Sequence, residues 1–105
     1  KELITAGTWL VEGIGEDFVP ANCDLSLVSS AITVSDKDAF AIIRELLEKA
    51  GILAGSSSGV LLHAALTYCR AQTTPKRVVT FICDTGNKYL SEAYNLEWLP
   101  QLGLI

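Results

Sequence analysis

Residues 51–66 read GILAGSSSGVLLHAAL, and this stretch decides the fold because a loop of three serines between two glycines separates two apolar segments. Residues 52–54, before the loop, are short and apolar, which fits a brief buried strand or an extended connector. Residues 60–70, after the loop, are apolar on most of their circumference and predict a mostly buried helix. The stretch therefore reads as an extended segment, a glycine loop and a helix, a connection that α/β folds use.

A second helix is predicted on the amino-terminal side of this stretch. Ser35 is placed to cap it, with Asp38 at the third helical position in a variant of the capping box, and Gly51 is placed to stop it. Its pattern is amphipathic, so one face is expected to pack on a core. The apolar face consists of Ala39, Ile42, Ile43, Leu46, Leu47 and Ala50.

Three segments outside the helices have the composition of strands. Residues 8–15 are rich in β-formers and end at glycine, residues 31–34 are a second short strand candidate, and residues 78–83 are apolar almost throughout. The last of these predicts a central strand, because strands covered on both faces lack polar alternation. Alternating strands and helices predict an α/β fold of three layers, with a mainly parallel sheet flanked by helices.

The carboxyl-terminal part of the chain gives weaker signals. Gly86 and Asn87 mark a turn, and residues 89–98 are a helix candidate that Pro100 closes. No internal repeat or low-complexity tract interrupts the 105 residues. A single domain is therefore expected.

Composition and charge exclude several classes of function. The net charge of −4 is spread over separate acids, and the eight Lys and Arg form no cluster, so no nucleic-acid partner is expected. No apolar run reaches the roughly 18 to 20 residues of a membrane span, so no membrane partner is expected. Cys23, Cys69 and Cys83 lack a C-x-x-C spacing, and the last two lie in apolar segments. They fit reduced thiols in a cytoplasmic protein, Cys69 and Cys83 in its core, rather than a metal site.

The serine loop matches the pattern of a hydrolase nucleophile. Gly55, Ser57 and Gly59 fit the G-x-S-x-G motif, in which Ser57 would attack the substrate. This interpretation needs a histidine within hydrogen-bond reach of the serine. His63 is the only histidine of the chain, and it lies on a polar stripe of the following helix, from which it cannot easily fold back to Ser57.

Three other interpretations concern glycine loops and helix starts. Gly13 and Gly15 follow a predicted strand, as in a dinucleotide-binding loop, but Phe18 stands where the third glycine belongs. One interpretation makes the serine loop a helix entry that presents hydroxyls and backbone N–H groups to a ligand. Another makes it a plain cap formed by Ser57 or Ser58.

Three segments taken together, VEGIGEDFVP, GILAGSSSGVLLHAAL and VVTFICDTGNKYLS, resemble one family over nearly the whole chain. They are similar to the last third of the catalytic domain of the pyridoxal-phosphate-dependent β-replacement enzymes, cystathionine β-synthase and cysteine synthase. The resemblance implies the tryptophan synthase β-like fold, also called fold type II. It further implies pyridoxal 5'-phosphate as cofactor, small-molecule amino-acid substrates and a homodimeric parent protein.

The resemblance also implies roles for individual residues. Ser57 matches the family position whose hydroxyl hydrogen-bonds the pyridine nitrogen of the cofactor, and Ser58 and Gly59 would set the helix start beside it. The backbone of the loop at 13–15 would lie against the cofactor and the substrate cleft. The implied cofactor-binding residues are Gly13, Ile14, Gly15, Ser57, Ser58 and Asp84.

The same resemblance shows what the printed sequence lacks. The family binds its cofactor covalently through a lysine, and holds the phosphate in a glycine- and threonine-rich cradle, both near the start of the catalytic domain. Neither motif occurs here, so no lysine of this chain is assigned a catalytic role. Residues 1–105 are therefore expected to be the carboxyl-terminal portion of one incomplete catalytic domain, inactive and prone to self-association alone.

The implied reaction joins serine, or an activated serine, to homocysteine and gives cystathionine. Asp17 with Phe18 favours this cystathionine β-synthase-like reaction, and Asp84 does too, although Cys83 stands where many relatives have proline. The alternative is cysteine synthase, which uses O-acetylserine and sulfide. An alternative of a different class is a non-catalytic ligand-binding or interaction module.

Overall fold

Two helices of equal length dominate the structure. The computed structural model describes residues 9–15 and 18–105, in which α1 spans Asp36–Ala50 and α2 spans Ser56–Arg70. A short helix, α3, spans Trp98–Gln101. Two 3-10 turns precede α1 and α3, at Leu25–Leu27 and Gly86–Tyr89. In the described part of the chain, no helix is long and apolar enough to cross a membrane.

The signals predicted for α1 are confirmed at both ends. The hydroxyl of Ser35 accepts a hydrogen bond from the backbone N–H of Asp38 at 3.1 Å. Gly51 follows the helix with a φ of 68°, and its N–H donates to the carbonyl of Leu47 at 3.0 Å. Glycine adopts this left-handed conformation without the steric cost of a Cβ, which explains why the helix ends there.

The start of α2 differs from its prediction. The helix begins at Ser56, with Gly55 as N-cap and no side-chain cap, so capping by Ser57 or Ser58 is wrong, as is a helix start set by Ser58 and Gly59. Residues 56–59 are buried, residues 60–66 are half-buried and residues 67–70 are exposed. The prediction of a mostly buried helix over residues 60–70 is therefore wrong, because the buried turn lies at residues 56–59, before the predicted range.

The core forms where α1 meets the start of α2. Gly59 lies so close to α1 that a Cβ there would collide with the carbonyl group of Ala39 and with the Ile43 side chain. Only glycine permits this approach, which brings the first turn of α2 against the buried face of α1. The buried apolar residues of the described chain are Val11, Ala39, Phe40, Ile43, Ala54, Tyr89, Ala93 and Leu99.

The predicted parallel sheet is not formed by the described residues. Within residues 9–15 and 18–105, the β-pairing consists of one isolated antiparallel bridge, between Ala54 and Thr85. Thr8, at the start of the first predicted strand, lies outside the described residues. The segments 31–34 and 78–83 carry no strand assignment, because a strand needs a neighbour for its backbone N–H and C=O groups.

The predicted central strand is the largest departure from the sequence analysis. Val79 is 82% exposed and Phe81 is 73% exposed, whereas a strand covered on both faces would bury them. Cys69 and Cys83 are exposed as well, so their placement in the core is wrong. Residues 78–83 are apolar in composition, yet in the described part of the chain most of them, Val79 and Phe81 above all, are left uncovered.

The helix predicted over residues 89–98 is also wrong. Turns follow the 3-10 segment Gly86–Tyr89, and α3 begins only at Trp98. The side-chain oxygen of Asn95 accepts a hydrogen bond from the backbone N–H of Glu97 at 2.9 Å, which starts a separate turn. Pro100 lies inside α3 rather than after it, and it is tolerated because N–H groups of a first helical turn have no partner within the helix.

Candidate functional site

Two of the three consecutive serines at the start of α2 bind backbone groups of other segments. The hydroxyl of Ser56 accepts a bond from the backbone N–H of Glu12 at 3.3 Å, and that of Ser58 accepts one from Cys83 at 2.8 Å. Both side chains are fully buried. These two serines therefore fasten the ends of two extended segments to one helix start.

Ser57 lies between them and does not bind either segment. It is 8% exposed, and its hydroxyl makes no hydrogen bond to any residue that the structure describes. The helix start around it has no side-chain cap. Because the first N–H groups of a helix have no partner within the helix, this buried end holds hydrogen-bond donors for an anion or a polar ligand atom.

The loop of Gly13, Ile14 and Gly15 follows the segment that Ser56 holds. Gly13 and Gly15 have φ values of 79° and 85°, a backbone conformation that L side chains rarely adopt. Ile14 and Gly15 line a cleft of about 540 Å³. The hydrogen bond from Glu12 to Ser56 thus holds the start of the glycine loop near the start of α2.

Asp36 contributes to this region, although no sequence motif points to it. Its carboxylate oxygens accept hydrogen bonds from the backbone N–H groups of Leu10 and Val11, at 3.0 Å and 3.2 Å. The first residue of α1 therefore fixes the segment that leads into the glycine loop. Asp36 also lines the cleft, together with Trp9 and Val60.

Asp84 lies behind the serine loop. One oxygen of its carboxylate accepts a hydrogen bond from the Tyr89 hydroxyl at 3.1 Å, and the other is buried and has no partner among the described residues. That second oxygen lies where a Cβ on Gly55 would be. Burial raises the pKa of Tyr89, and the bond to Asp84 raises it further, so the tyrosine remains a neutral donor.

His63 does not belong to this group of residues. Its Nε2 lies 3.9 Å from a carboxylate oxygen of Asp38 on α1, and its carbonyl accepts a hydrogen bond from the hydroxyl of Thr67. No hydrogen bond joins it to Ser57 in the described structure, which weakens the hydrolase interpretation. Over the described ranges, no cluster of His, Cys, Asp and Glu is suited to hold a metal ion.

The hydrogen bond from Glu12 to Ser56 brings the loop at 13–15 near the start of α2, and Ile14 and Gly15 line a cleft whose lining does not include Ser57. The Ser58 hydroxyl accepts a hydrogen bond from the N–H of Cys83, and one carboxylate oxygen of Asp84 accepts one from the Tyr89 hydroxyl. Asp17, which favoured one of the two reactions, lies outside the described residues.

Comparison with known proteins identifies the family. The chain matches the model of the pyridoxal-phosphate dependent enzyme family over residues 2–84. It is 41% identical over 93 residues to cysteine synthase A of Escherichia coli (strain K12), which covers 88% of this chain and 29% of that protein.

Two relatives carry a different name. The chain is 40% identical over 81 residues to the O-acetylserine dependent cystathionine beta-synthase of Bacillus subtilis (strain 168), covering 77% of this chain and 26% of that protein. It is 32% identical over 101 residues to the cystathionine beta-synthase of Dictyostelium discoideum, covering 96% and 20%. The chain spans less than a third of the length of these three relatives, and it belongs to the pyridoxal-phosphate dependent enzyme family.

Proposed function

We propose that this member of the pyridoxal-phosphate dependent enzyme family forms one wall of the cofactor site in a longer β-replacement enzyme, here named the parent protein. The observation that carries the proposal is Ser57, whose side chain is 8% exposed and whose accessible hydroxyl has no described partner, between two serines that bind backbone groups. The names of the relatives support β-replacement, the exchange of a group on the β-carbon of an amino acid.

The residues of the serine loop fit a pyridine ring. When bound, the cofactor supplies an electron sink that helps the substrate lose its β-substituent. The Ser57 hydroxyl is a neutral group that hydrogen-bonds the ring nitrogen without holding it protonated, as a carboxylate would. This favours elimination over full accumulation of negative charge on the ring. Gly55 gives the backbone room beside Asp84 at the same helix start.

The glycine loop fits the substrate side of such a site. Gly13 and Gly15 have no side chains to block the approach of a small amino acid, and Ile14 offers one apolar surface in the cleft. Their backbone groups are available to orient a substrate, because the hydrogen bond from Glu12 to Ser56 keeps this loop beside the start of α2. The proposed role of this chain is therefore to bind the cofactor and to orient the substrate.

The specific reaction is proposed to be the condensation of serine, or an activated serine, with homocysteine to cystathionine. Asp84 favours this assignment, because the resemblance to the cystathionine β-synthases includes it. Cysteine synthase, which combines O-acetylserine with sulfide, is the alternative, and the relatives carry both names. The nucleophile that the parent protein accepts, homocysteine or sulfide, distinguishes the two.

The rest of the catalytic domain is proposed to cover the exposed apolar segment at residues 78–82. Val79 and Phe81 are the most exposed residues of that segment, and a neighbouring strand and helix layer would bury both. On this proposal residues 1–105 are the carboxyl-terminal portion of one catalytic domain in a cytoplasmic homodimer. The chain alone is expected to self-associate through the same apolar surface.

The first test is the substitution Ser57→Ala in the parent protein. A lost hydrogen bond to a buried ring nitrogen is expected to cost about 1 to 3 kcal/mol in turnover or cofactor binding, with unfolding little affected. Turnover of serine with homocysteine and a fluorescence titration of the cofactor measure this. Ser30→Ala, at an exposed position, is the matched control. Equal activity of the two variants would remove Ser57 from the site.

The second test concerns the chain alone, mixed with pyridoxal phosphate and reduced with borohydride. Sparse labelling of several lysines, without turnover, is expected, since Lys37, Lys49, Lys76 and Lys88 are exposed and lie in no cofactor-binding motif. A stoichiometric adduct at one lysine, with turnover, would contradict the proposal. A parent protein that binds the cofactor but converts no substrate would instead support a non-catalytic binding module.

A further inference from the structure

Ala54, the residue before the N-cap of α2, lies between the segment at 84–86 and the side chain of Tyr94. On one side lies the segment at 84–86: the N–H of Gly55 donates to the carbonyl of Asp84 at 3.2 Å, and that of Gly86 donates to Leu53 at 3.0 Å. In this antiparallel pattern the N–H and C=O of Ala54 itself point away from the partner segment. In an ordinary sheet a second strand would take them.

The hydroxyl of Tyr94 takes both of these groups. It accepts a hydrogen bond from the N–H of Ala54 at 3.2 Å and donates one to the carbonyl of Ala54 at 2.5 Å. One side chain thereby replaces a neighbouring strand at this residue. Burial raises the pKa of Tyr94, so its hydroxyl keeps the proton that the second bond requires.

Tyr89 acts on Gly55, the residue after Ala54, through the carboxylate of Asp84. Its hydroxyl donates to one oxygen of Asp84, whose other oxygen faces the Cα of Gly55. The two tyrosines are linked by a backbone hydrogen bond, from Tyr94 N–H to the carbonyl of Tyr89 at 3.4 Å. Arg44 of α1 donates to the carbonyl of Ala93 at 3.2 Å, which ties the same segment to the helix pair.

We propose that Tyr89 and Tyr94 are positioning residues, which fix the backbone of Ala54 and Gly55 and through it the direction of the Ser57 hydroxyl. This rests on the proposed function of Ser57. The start of α2 has no side-chain cap, so the hydrogen bonds to Ala54 and Gly55 replace one of the usual restraints on a helix start. Neither tyrosine touches a cofactor or substrate on this proposal.

The test uses Tyr94→Phe and Tyr89→Phe in the parent protein, with Tyr68→Phe as control. Tyr68 lies on α2, is 43% exposed, and its hydroxyl has no hydrogen bond to the described residues. We expect Tyr94→Phe to weaken cofactor binding about 10-fold and Tyr89→Phe about 3-fold, as losses of one or two hydrogen bonds do. Tyr68→Phe should leave the dissociation constant unchanged.

A double-mutant cycle separates positioning from general destabilisation. If Tyr94 acts through Ser57, Tyr94→Phe adds less than a further 2-fold in the Ser57→Ala background, since the hydroxyl it aims is already gone. A full additional 10-fold loss, or no loss from either tyrosine variant in the wild-type background, would overturn the proposal.

A second measurement does not involve the cofactor. Amide hydrogen exchange of the cofactor-free parent protein should accelerate about 10-fold over residues 54–58 in Tyr94→Phe, and remain unchanged over α1. Unchanged exchange over residues 54–58 in both variants would overturn the proposal even if cofactor binding changed. A wild-type parent protein without cofactor binding would refute the function of Ser57, while the exchange result would still decide whether the tyrosines fix the turn.

Discussion

The two long helices have the same length of 15 residues but begin in opposite ways. At α1 the Ser35 side chain caps the first turn and two acids, Asp36 and Asp38, lie within it. At α2 the N-cap is Gly55, no side chain caps the turn, and no acid lies within it. The cap of α1 is exposed, whereas the first turn of α2 is buried.

The two helix starts therefore differ in whether nearby side chains stabilise their first turn. In the first turn of α1 the Ser35 hydroxyl binds the N–H of Asp38, and the acids Asp36 and Asp38 interact favourably with the helix dipole, so residues of the helix itself stabilise its start. The first turn of α2 turns the hydroxyls of Ser56 and Ser58 outward to other segments and leaves its own donors without such a cap. A buried helix end of this kind costs stability unless a ligand or another group satisfies it.

The largest expected effect breaks the contact that the two helices share. Gly59→Val in the parent protein should lower the free energy of unfolding by about 1 to 3 kcal/mol or more, because the added Cβ meets the backbone carbonyl of Ala39, which cannot move aside. Urea denaturation measures this. Ala41→Val, at an exposed position of α1, is the matched control and should cost only its helix propensity, less than about 0.7 kcal/mol. Similar losses in both variants would show that the helices do not depend on this approach.

A smaller effect tests whether the start of α1 is only structural. Ser35→Ala should lower the free energy of unfolding by about 1 kcal/mol, because the N–H of Asp38 loses its cap. Cofactor binding should stay as in the wild type, in contrast to Ser57→Ala at the start of α2; turnover is not the readout, because Ser35 lines the cleft shared with Ile14 and Gly15. A loss of cofactor affinity comparable to that of Ser57→Ala would erase the distinction between the two helix starts.

The smallest expected effect concerns the contact between the two helices at His63. We expect His63→Gln to leave turnover of the parent protein within a factor of about 2, since its neighbour is Asp38 rather than Ser57. Steady-state kinetics measure this. A loss of about 100-fold or more, the scale of losing a general base, would restore the hydrolase interpretation.

The sequence predicted the parts of the fold that local interactions decide. The bounds of α1 follow from Ser35, Asp38 and Gly51, which act within a few residues of themselves. The order of three motifs along the chain indicated the family, which the family model and the relatives confirm. Ser57 was chosen by position in such a motif, and its role as a cofactor ligand stays a prediction.

The sequence failed where an element depends on distant partners. Residues 78–83 have the composition of a central strand, yet a strand exists only with a neighbour for its backbone, and the described residues provide none. The start of α2 was misplaced for a similar reason. Its first turn is buried by contacts with Ala39, Glu12 and Cys83, none of which lies close to it in the chain.

By itself, the sequence determined the family and α1, because motifs and caps are read over short distances. Only the tertiary structure decided which serine is left without a described partner. Three identical side chains in succession differ only in direction, and in a helix each successive residue turns by about 100°. That rotation places the hydroxyls of Ser56 and Ser58 on the backbone of Glu12 and Cys83 and leaves Ser57 facing neither. Tyr94 likewise reaches Ala54 across 40 residues of chain, a contact that no local pattern predicts.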